Sequence, residues 1–312
     1  MSESKPFVII TLGPTGAGKT GLVNRTISHC ELNPNPTPRV FLVDDLVVNN
    51  QKYKDAVSGI IKTNNMTLDT VENDMTKPEV IAAFNAAYWG VRRSNGCVNN
   101  GSENCDDVTD SQMKAAIKNN ESFVLEITGS SIPKWFLDNG WLGDDPNLYD
   151  VFVSCVLVSS LDTLIERNKS RFKHAFELFM NNQDNPAPRL PNITEETFDD
   201  SILTIKKTVH DMYSQCVLTK NESKCGKEKI DRLLVFSNNK DMTLEFDSIK
   251  DTSEVFEGVI NRLYPSNQTV NNQTGNARRR RTQKIRRFHK RINTKKMRKS
   301  IKNKRIRKHP KI

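Results

Sequence analysis

The stretch that decides the fold is FVIITLGPTGAGKTGLV, residues 7 to 23, which runs from an apolar string through a glycine-rich turn into helical spacing. Residues 7–12 are typical of a buried strand, and apolar side chains then recur on one helix face at Leu22, Val23, Ile27 and Cys30. The turn between them fits G-x-x-x-x-G-K-[ST], the pattern of a phosphate-binding loop. A preceding strand and a following helix are the context that this pattern requires.

Each residue type in the turn has a chemical reason. Glycine permits positive φ and close approach of backbone N–H groups to a triphosphate, and the helix N-terminus adds partial positive charge. Lys19 would reach the β- and γ-phosphates of ATP or GTP, and the Thr20 hydroxyl would bind Mg²⁺. The predicted nucleotide-binding residues are Gly13, Thr15, Gly16, Ala17, Gly18, Lys19 and Thr20. The alternative is an ordinary glycine turn with a surface lysine.

Four more segments resemble strands and alternate with helical patterns, as a parallel sheet requires. We therefore predict an α/β fold of the P-loop NTPase, nucleotide-kinase-like class, with a parallel sheet of about five strands flanked by helices. The four segments are 39–45, 122–129, 150–158 and 232–238. Apolar periodicity predicts two long helices, one containing Phe172, Phe176 and Phe179 and one extending from Phe198 to Cys216.

The charge is divided unevenly along the chain. The whole sequence has 47 Lys and Arg against 37 Asp and Glu, but residues 278–312 hold 19 of the basic residues and no acidic one. We predict a kinase domain over 1–265, a polar linker over 266–277, and a disordered or helical basic tail over 278–312. Within the domain, we expect a surface insertion at about 92–110 and a lid at about 160–195.

Composition limits where the protein works. The chain has no apolar run of 18 residues and no signal-peptide pattern, so we expect an intracellular protein, cytoplasmic or nuclear if the source is eukaryotic or viral. Its six cysteines contain no C-x-x-C pair, and we expect neither disulfides nor a zinc site. The oligomeric state is left open.

Two adjacent acids form a second candidate site. Asp44 and Asp45 end the predicted strand 39–45, and ligands bind at the carboxyl ends of strands in such sheets. A carboxylate there can orient Mg²⁺ through water or take a proton from an attacking hydroxyl. The alternative is that these acids only cap the following helix.

Arginines form a third element. Arg167 and Arg171 are four residues apart on one helix face, and Arg189 lies in the proline-rich NPAPRLP segment, which cannot be helical throughout. Such arginines can stabilise a transferring γ-phosphoryl group. Taken alone, they are more typical of a solvated surface.

The order of GPTGAGKT, VFLVDDLV, FVLEITG, TLIERNKSRF and NPAPRLPNITEETF resembles the zeta-toxin family of P-loop kinases over roughly residues 5–215. This resemblance implies that Asp45, or Asp44 if the alignment slips by one, is the catalytic base. It implies that Arg167 and Arg189 contact the γ-phosphate, together with Lys19. It also places Glu126 and Thr128 where the family lines its sugar-nucleotide pocket, with Asp44 beside the substrate. The family usually has an arginine where this chain has Ser130.

These patterns together predict a phosphotransferase that uses ATP or GTP with Mg²⁺ and a small-molecule hydroxyl as acceptor, nucleotide sugars among them. Two alternatives remain. One is an NTP-dependent, polynucleotide-kinase-like enzyme whose basic tail holds nucleic acid. The other is a non-catalytic nucleotide-binding module with a nucleic-acid-binding tail.

The basic tail generates the first prediction. Deleting residues 278–312 should abolish sequence-independent binding to RNA and DNA but leave phosphoryl transfer to a small acceptor intact. Because Lys and Arg release counterions from phosphates, binding by the full chain should fall steeply between about 50 and 200 mM salt. Fluorescence anisotropy with labelled oligonucleotides measures this. Equal oligonucleotide binding by the truncated and full chains would indicate that the tail binds another partner.

Overall fold

The computed structural model describes residues 5–98, 101–128, 142, 147–158, 160–220 and 230–263. The predicted linker and basic tail, and residues 99 and 100 of the predicted insertion, lie outside this part of the chain. Ser130, at the position where the zeta-toxin family usually has an arginine, lies outside it as well.

Six strands form one mixed sheet in the described part of the chain. Its order is β2-β3-β1-β4-β5-β6, with β6 antiparallel to β5 and every other neighbouring pair parallel. The strands are β1 (Phe7–Leu12), β2 (Arg39–Phe41), β3 (Phe123–Ile127), β4 (Asp150–Leu157), β5 (Arg232–Asn238) and β6 (Met242–Asp247).

Helices connect and cover these strands. They are α1 (Lys19–His29), α2 (Val43–Asn49), α3 (Gln51–Thr63), α4 (Val71–Asp74), α5 (Pro78–Arg92), α6 (Cys105–Lys118), α7 (Leu161–Asn181), α8 (Glu195–Asp211) and α9 (Ser253–Leu263). A π-helix, Met212–Leu218, follows α8 directly, where the sequence pattern predicted one continuous helix. None of the described helices is both long and apolar enough to cross a bilayer.

The predicted α/β fold, with helices flanking a largely parallel sheet, is confirmed. All six residues of β1 are buried, because β1 lies between β3 and β4 and helices cover the sheet. The apolar face predicted for α7 is also confirmed, since Phe172, Phe176 and Phe179 are at most 1% exposed. The antiparallel sixth strand was not predicted; a bulge at Val235 and Phe236 marks its irregular pairing with β5.

The segment around the two acids differs from its prediction. The expected strand 39–45 ends at Phe41, and α2 begins at Val43, so Asp44 and Asp45 lie in the first helical turn. Carboxylates are favoured there because the helix N-terminus carries partial positive charge. The acids still lie near the carboxyl end of β2, because Leu42 alone separates strand from helix.

The prediction of no disulfides was wrong. Cys97 and Cys105 form a disulfide across the segment between α5 and α6. The backbone N–H groups of Gly96 and Cys97 both donate to the Glu103 carbonyl, which folds the loop back on itself and brings the two Cα atoms to 5.0 Å. A separation of eight residues matches no short cysteine motif, so sequence spacing could not reveal it.

Candidate active site

The phosphate loop begins where β1 ends and leads into α1. Gly18 has a φ of 91° and precedes the first helical residue, Lys19. The Lys19 side chain is 7% exposed, and its Nζ donates to the carbonyls of Gly13 at 3.1 Å and Pro14 at 3.2 Å. The loop therefore curls around a buried ammonium group.

Glu126 supplies the counter-charge. It lies on β3, paired in register with Thr11 of β1, and its Oε1 is 3.4 Å from Lys19 Nζ. Burial lowers the pKa of Lys19, and the Glu126 carboxylate opposes this effect. Lys19, after the loop that follows β1, and Glu126, on the adjacent parallel strand β3, thus lie together at the carboxyl ends of these strands.

Two asparagines hold the loop from either side, and neither was predicted. Asn168 Nδ2 on α7 donates to the Thr15 carbonyl at 3.2 Å, and Asn238 Nδ2 at the end of β5 donates to the Ala17 carbonyl at 2.8 Å. Asn168 directly follows Arg167 in the sequence, but no spacing rule distinguishes it from a surface residue. Only the fold shows its role.

The glycines at 16 and 18 are required by both conformation and space. Gly16 has a φ of 85°, and a Cβ there would lie 2.1 Å from Asn168 Nδ2. A Cβ on Gly18 would lie 2.6 Å from Asn238 Nδ2. A side chain at either position would therefore strain the backbone and require an asparagine that holds the loop to move.

A cavity of about 310 Å³ adjoins the loop. Asp45 contributes a carboxylate to it, and burial together with the charge of Glu126 raises the pKa of Asp45, while Arg171 lowers it. The cavity therefore contains an acid, two arginines and part of the phosphate loop. Its lining residues are Thr15, Asp45, Val48, Asn49, Asn168, Arg171, Ala175, Pro186, Ala187, Arg189 and Pro191.

Asp44 does not line this cavity. Its carboxylate accepts hydrogen bonds from Arg189 Nη1 and from the Tyr88 hydroxyl. The Arg189 guanidinium also lies over the Tyr88 ring, 4.1 Å from its centroid. The two adjacent acids therefore have different surroundings, with Asp45 in the cavity and Asp44 in a cluster with Arg189 and Tyr88.

The two arginines of α7, Arg167 and Arg171, also have different contacts. Arg167 Nη1 donates to the Asn238 carbonyl at 3.0 Å, and its Nη2 lies 3.4 Å from the Asn239 carbonyl. Arg171, one turn later, lines the cavity that contains Asp45. Arg167 therefore contacts the turn between β5 and β6, while Arg171 lies with the acid.

The remaining predicted residues lie along the same edge of the sheet. Thr20 is the second residue of α1 and is exposed, and Thr128 is exposed just after β3.

A second cavity, of about 410 Å³, lies beside α6 and includes Arg39, Val98 and Glu103. It contains none of the predicted site residues.

No family model matches this chain, and no curated protein matches its sequence. Among solved structures, the chain is similar to one from the PezAT chromosomal toxin–antitoxin system of the human pathogen Streptococcus pneumoniae. That match has a TM-score of 0.47 and 12% sequence identity, and it covers 85% of this chain and 81% of the other.

The contact between Gly16 and Asn168 generates the second prediction. Gly16→Ala should weaken ATP binding by about 10-fold or more, because the added Cβ would both displace Asn168 and strain the left-handed backbone. Gly59→Ala in α3 is the matched control. A Cβ there has no neighbour within 4 Å, and alanine should stabilise the helix by about 1 kcal/mol. Calorimetric titration and thermal melting measure both; normal ATP binding by Gly16→Ala would contradict the loop geometry.

Proposed function

We propose that this chain is a P-loop kinase of the zeta-toxin-like class, which transfers the γ-phosphoryl group of ATP or GTP to the hydroxyl of a small molecule. The observation that carries the proposal is one cavity, beside the phosphate loop, that contains Asp45 together with Arg171 and Arg189. A proton acceptor and cations beside a phosphate loop are the groups that phosphoryl transfer needs.

The cations would act on charge that develops in the transition state. Lys19 would exchange its contacts with Glu126 and the loop carbonyls for β- and γ-phosphate oxygens. Arg189 and Arg171 would contact the γ-phosphoryl group from the cavity side. Arg167, the resemblance's other γ-phosphate residue, stays a prediction, and its bonds to Asn238 and Asn239 favour a supporting role instead.

The oxygen donors near the loop fit Mg²⁺. Thr20 offers a hydroxyl next to Lys19, and the Glu126 carboxylate is 3.4 Å from Lys19 Nζ. Mg²⁺ prefers oxygen ligands and is often bound by one or two protein groups together with substrate phosphates. Bound there, the ion would neutralise phosphate charge. Glu126 and Thr128 also remain candidates for contacts with the acceptor.

Asp45 would accept the proton of the acceptor hydroxyl. The hydroxyl oxygen then forms a bond to the γ-phosphorus while the bond between that phosphorus and the bridging oxygen breaks, which releases ADP or GDP. The pKa of Asp45 is raised by burial and by Glu126, and a carboxylate with a raised pKa is a better proton acceptor than an ordinary aspartate.

A transfer assay tests the proposal. Labelled ATP and GTP are incubated with Mg²⁺ and a panel of sugars, nucleosides, nucleotide sugars and 5′-hydroxyl oligonucleotides. We expect labelling of a small-molecule hydroxyl. Labelling of oligonucleotides alone would favour the second candidate, an enzyme acting on nucleic acid, for which the 19 charges of the tail are the supporting observation. Nucleotide binding without any transfer would indicate the non-catalytic module.

The base assignment generates the third prediction. Asp45→Asn should lower kcat by about 100-fold and leave the ATP dissociation constant nearly unchanged, because a base acts in the transition state. In the parent enzyme, activity should fall as pH drops through the raised pKa of Asp45. Arg171→Ala should move this acidic limb to higher pH, because removing a positive charge raises that pKa further.

Steady-state kinetics across a range from acidic to slightly alkaline pH measure both effects. Asp55→Asn, an exposed acid on α3, is the control that should leave kcat and the pH profile unchanged. Full activity of Asp45→Asn would indicate that Asp45 only caps α2.

A further inference from the structure

The loop that carries Arg189 is fixed to the helices beneath it. On either side of Arg189, the Pro188 carbonyl accepts from the Tyr53 hydroxyl at 3.0 Å and the Leu190 carbonyl accepts from Asn85 Nδ2 at 3.2 Å. Tyr53 is fully buried on α3, and Asn85 lies on α5. The backbone that flanks Arg189 is therefore held from two different helices.

The start of the same loop is held as well. Lys54 Nζ of α3 donates to the Asp184 carbonyl at 2.6 Å, and the Ala187 N–H donates to the Val48 carbonyl of α2 at 2.9 Å. Ala187 itself is buried. Since α2 also carries Asp44 and Asp45, this last bond ties the arginine loop to the helix of the two acids.

The Arg189 side chain has its own support. Both oxygens of Asp44 are used, Oδ2 by Arg189 and Oδ1 by the Tyr88 hydroxyl, so the carboxylate is oriented from both sides. The Tyr88 ring lies under the guanidinium, and Tyr53 packs against that ring edge-on, with centroids 6.3 Å apart. Burial lowers the pKa of Arg189 to about 10, which leaves the guanidinium charged at neutral pH.

We propose that Asp44 is a positioning residue, which with Tyr88 holds the Arg189 guanidinium at the cavity before the substrate arrives. This inference rests on the proposed phosphotransferase function. A guanidinium on a free side chain would have to be ordered during each reaction, whereas one already oriented needs little reorganisation as charge develops. The two adjacent acids then have different roles. Asp45 accepts the proton of the acceptor hydroxyl, and Asp44 orients the Arg189 guanidinium.

A double-mutant cycle tests this with Asp44→Asn, Arg189→Ala and the two changes combined. Asp44→Asn should lower kcat by about 10- to 100-fold, as misplaced catalytic groups do, with a smaller change in the KM for ATP. In the Arg189→Ala background, Asp44→Asn should cause no further loss of kcat. A merely structural defect would lower kcat by the same factor in both backgrounds.

Two controls accompany the cycle. Tyr88→Phe keeps the ring under the guanidinium and removes only the hydroxyl, so it should cause a smaller loss of kcat than Asp44→Asn. Glu121→Gln breaks another arginine–carboxylate pair, with Arg39 at the amino-terminal end of β2, and should leave kcat unchanged. Equal losses in both backgrounds, wild-type kcat in Asp44→Asn, or a higher kcat would each overturn the proposal.

A second readout does not depend on turnover. Calorimetric titration with the non-hydrolysable analogue AMP-PNP should show that Asp44→Asn weakens binding severalfold in the parent chain but not in the Arg189→Ala chain. Absence of transfer by the parent chain would contradict the proposed function alone. Equal weakening of AMP-PNP binding in both backgrounds, or none in either, would overturn the positioning role whether or not transfer is observed.

Discussion

The site depends on one electrostatic constraint, the burial of the Lys19 ammonium group. An ammonium that is 7% exposed must be compensated, and here the carbonyls of Gly13 and Pro14 and the carboxylate of Glu126 surround it. These partners come from the loop that follows β1 and from β3, so the contact requires β1 and β3 to be adjacent and parallel. The strand order of the sheet is therefore part of the site.

A helix and a strand that are distant in the sequence also contribute to this small region. The backbone of the loop that follows β1 is supported from outside β1 and α1, because Asn168 and Asn238 bond to it from α7 and β5. Arg167 then bonds to the turn that follows Asn238, and Arg171 extends from the same helix toward Asp45. One helix thus supports the phosphate loop and supplies a cation to the cavity.

Local pattern was enough to predict part of this arrangement. The strand, glycine turn and helix around Lys19 are specified by residues close together in the sequence, and the proline-rich segment around Arg189 is non-helical as its prolines require. Tertiary contacts decided the rest. The boundary at Val43, the bonds of Asn168 and Asn238, and the disulfide between Cys97 and Cys105 all depend on neighbours that no spacing reveals. Likewise, the adjacent acids look interchangeable in the sequence, and only the surrounding side chains separate the cavity carboxylate from the one bonded to Arg189 and Tyr88.

In this interpretation, the buried ammonium group of Lys19 binds the phosphates of a nucleoside triphosphate. Calorimetric titration of the full chain with ATPγS and Mg²⁺, beside Lys19→Met, tests this role, because methionine keeps much of the length of lysine without its charge. We predict that the parent chain binds the nucleotide and that Lys19→Met binds about 10-fold more weakly or worse, since a charged hydrogen-bond donor to phosphate is lost. Thermal melting of both chains checks that the fold persists. Equal affinity of the two chains, or no binding by the parent chain, would contradict a nucleotide-binding role for Lys19.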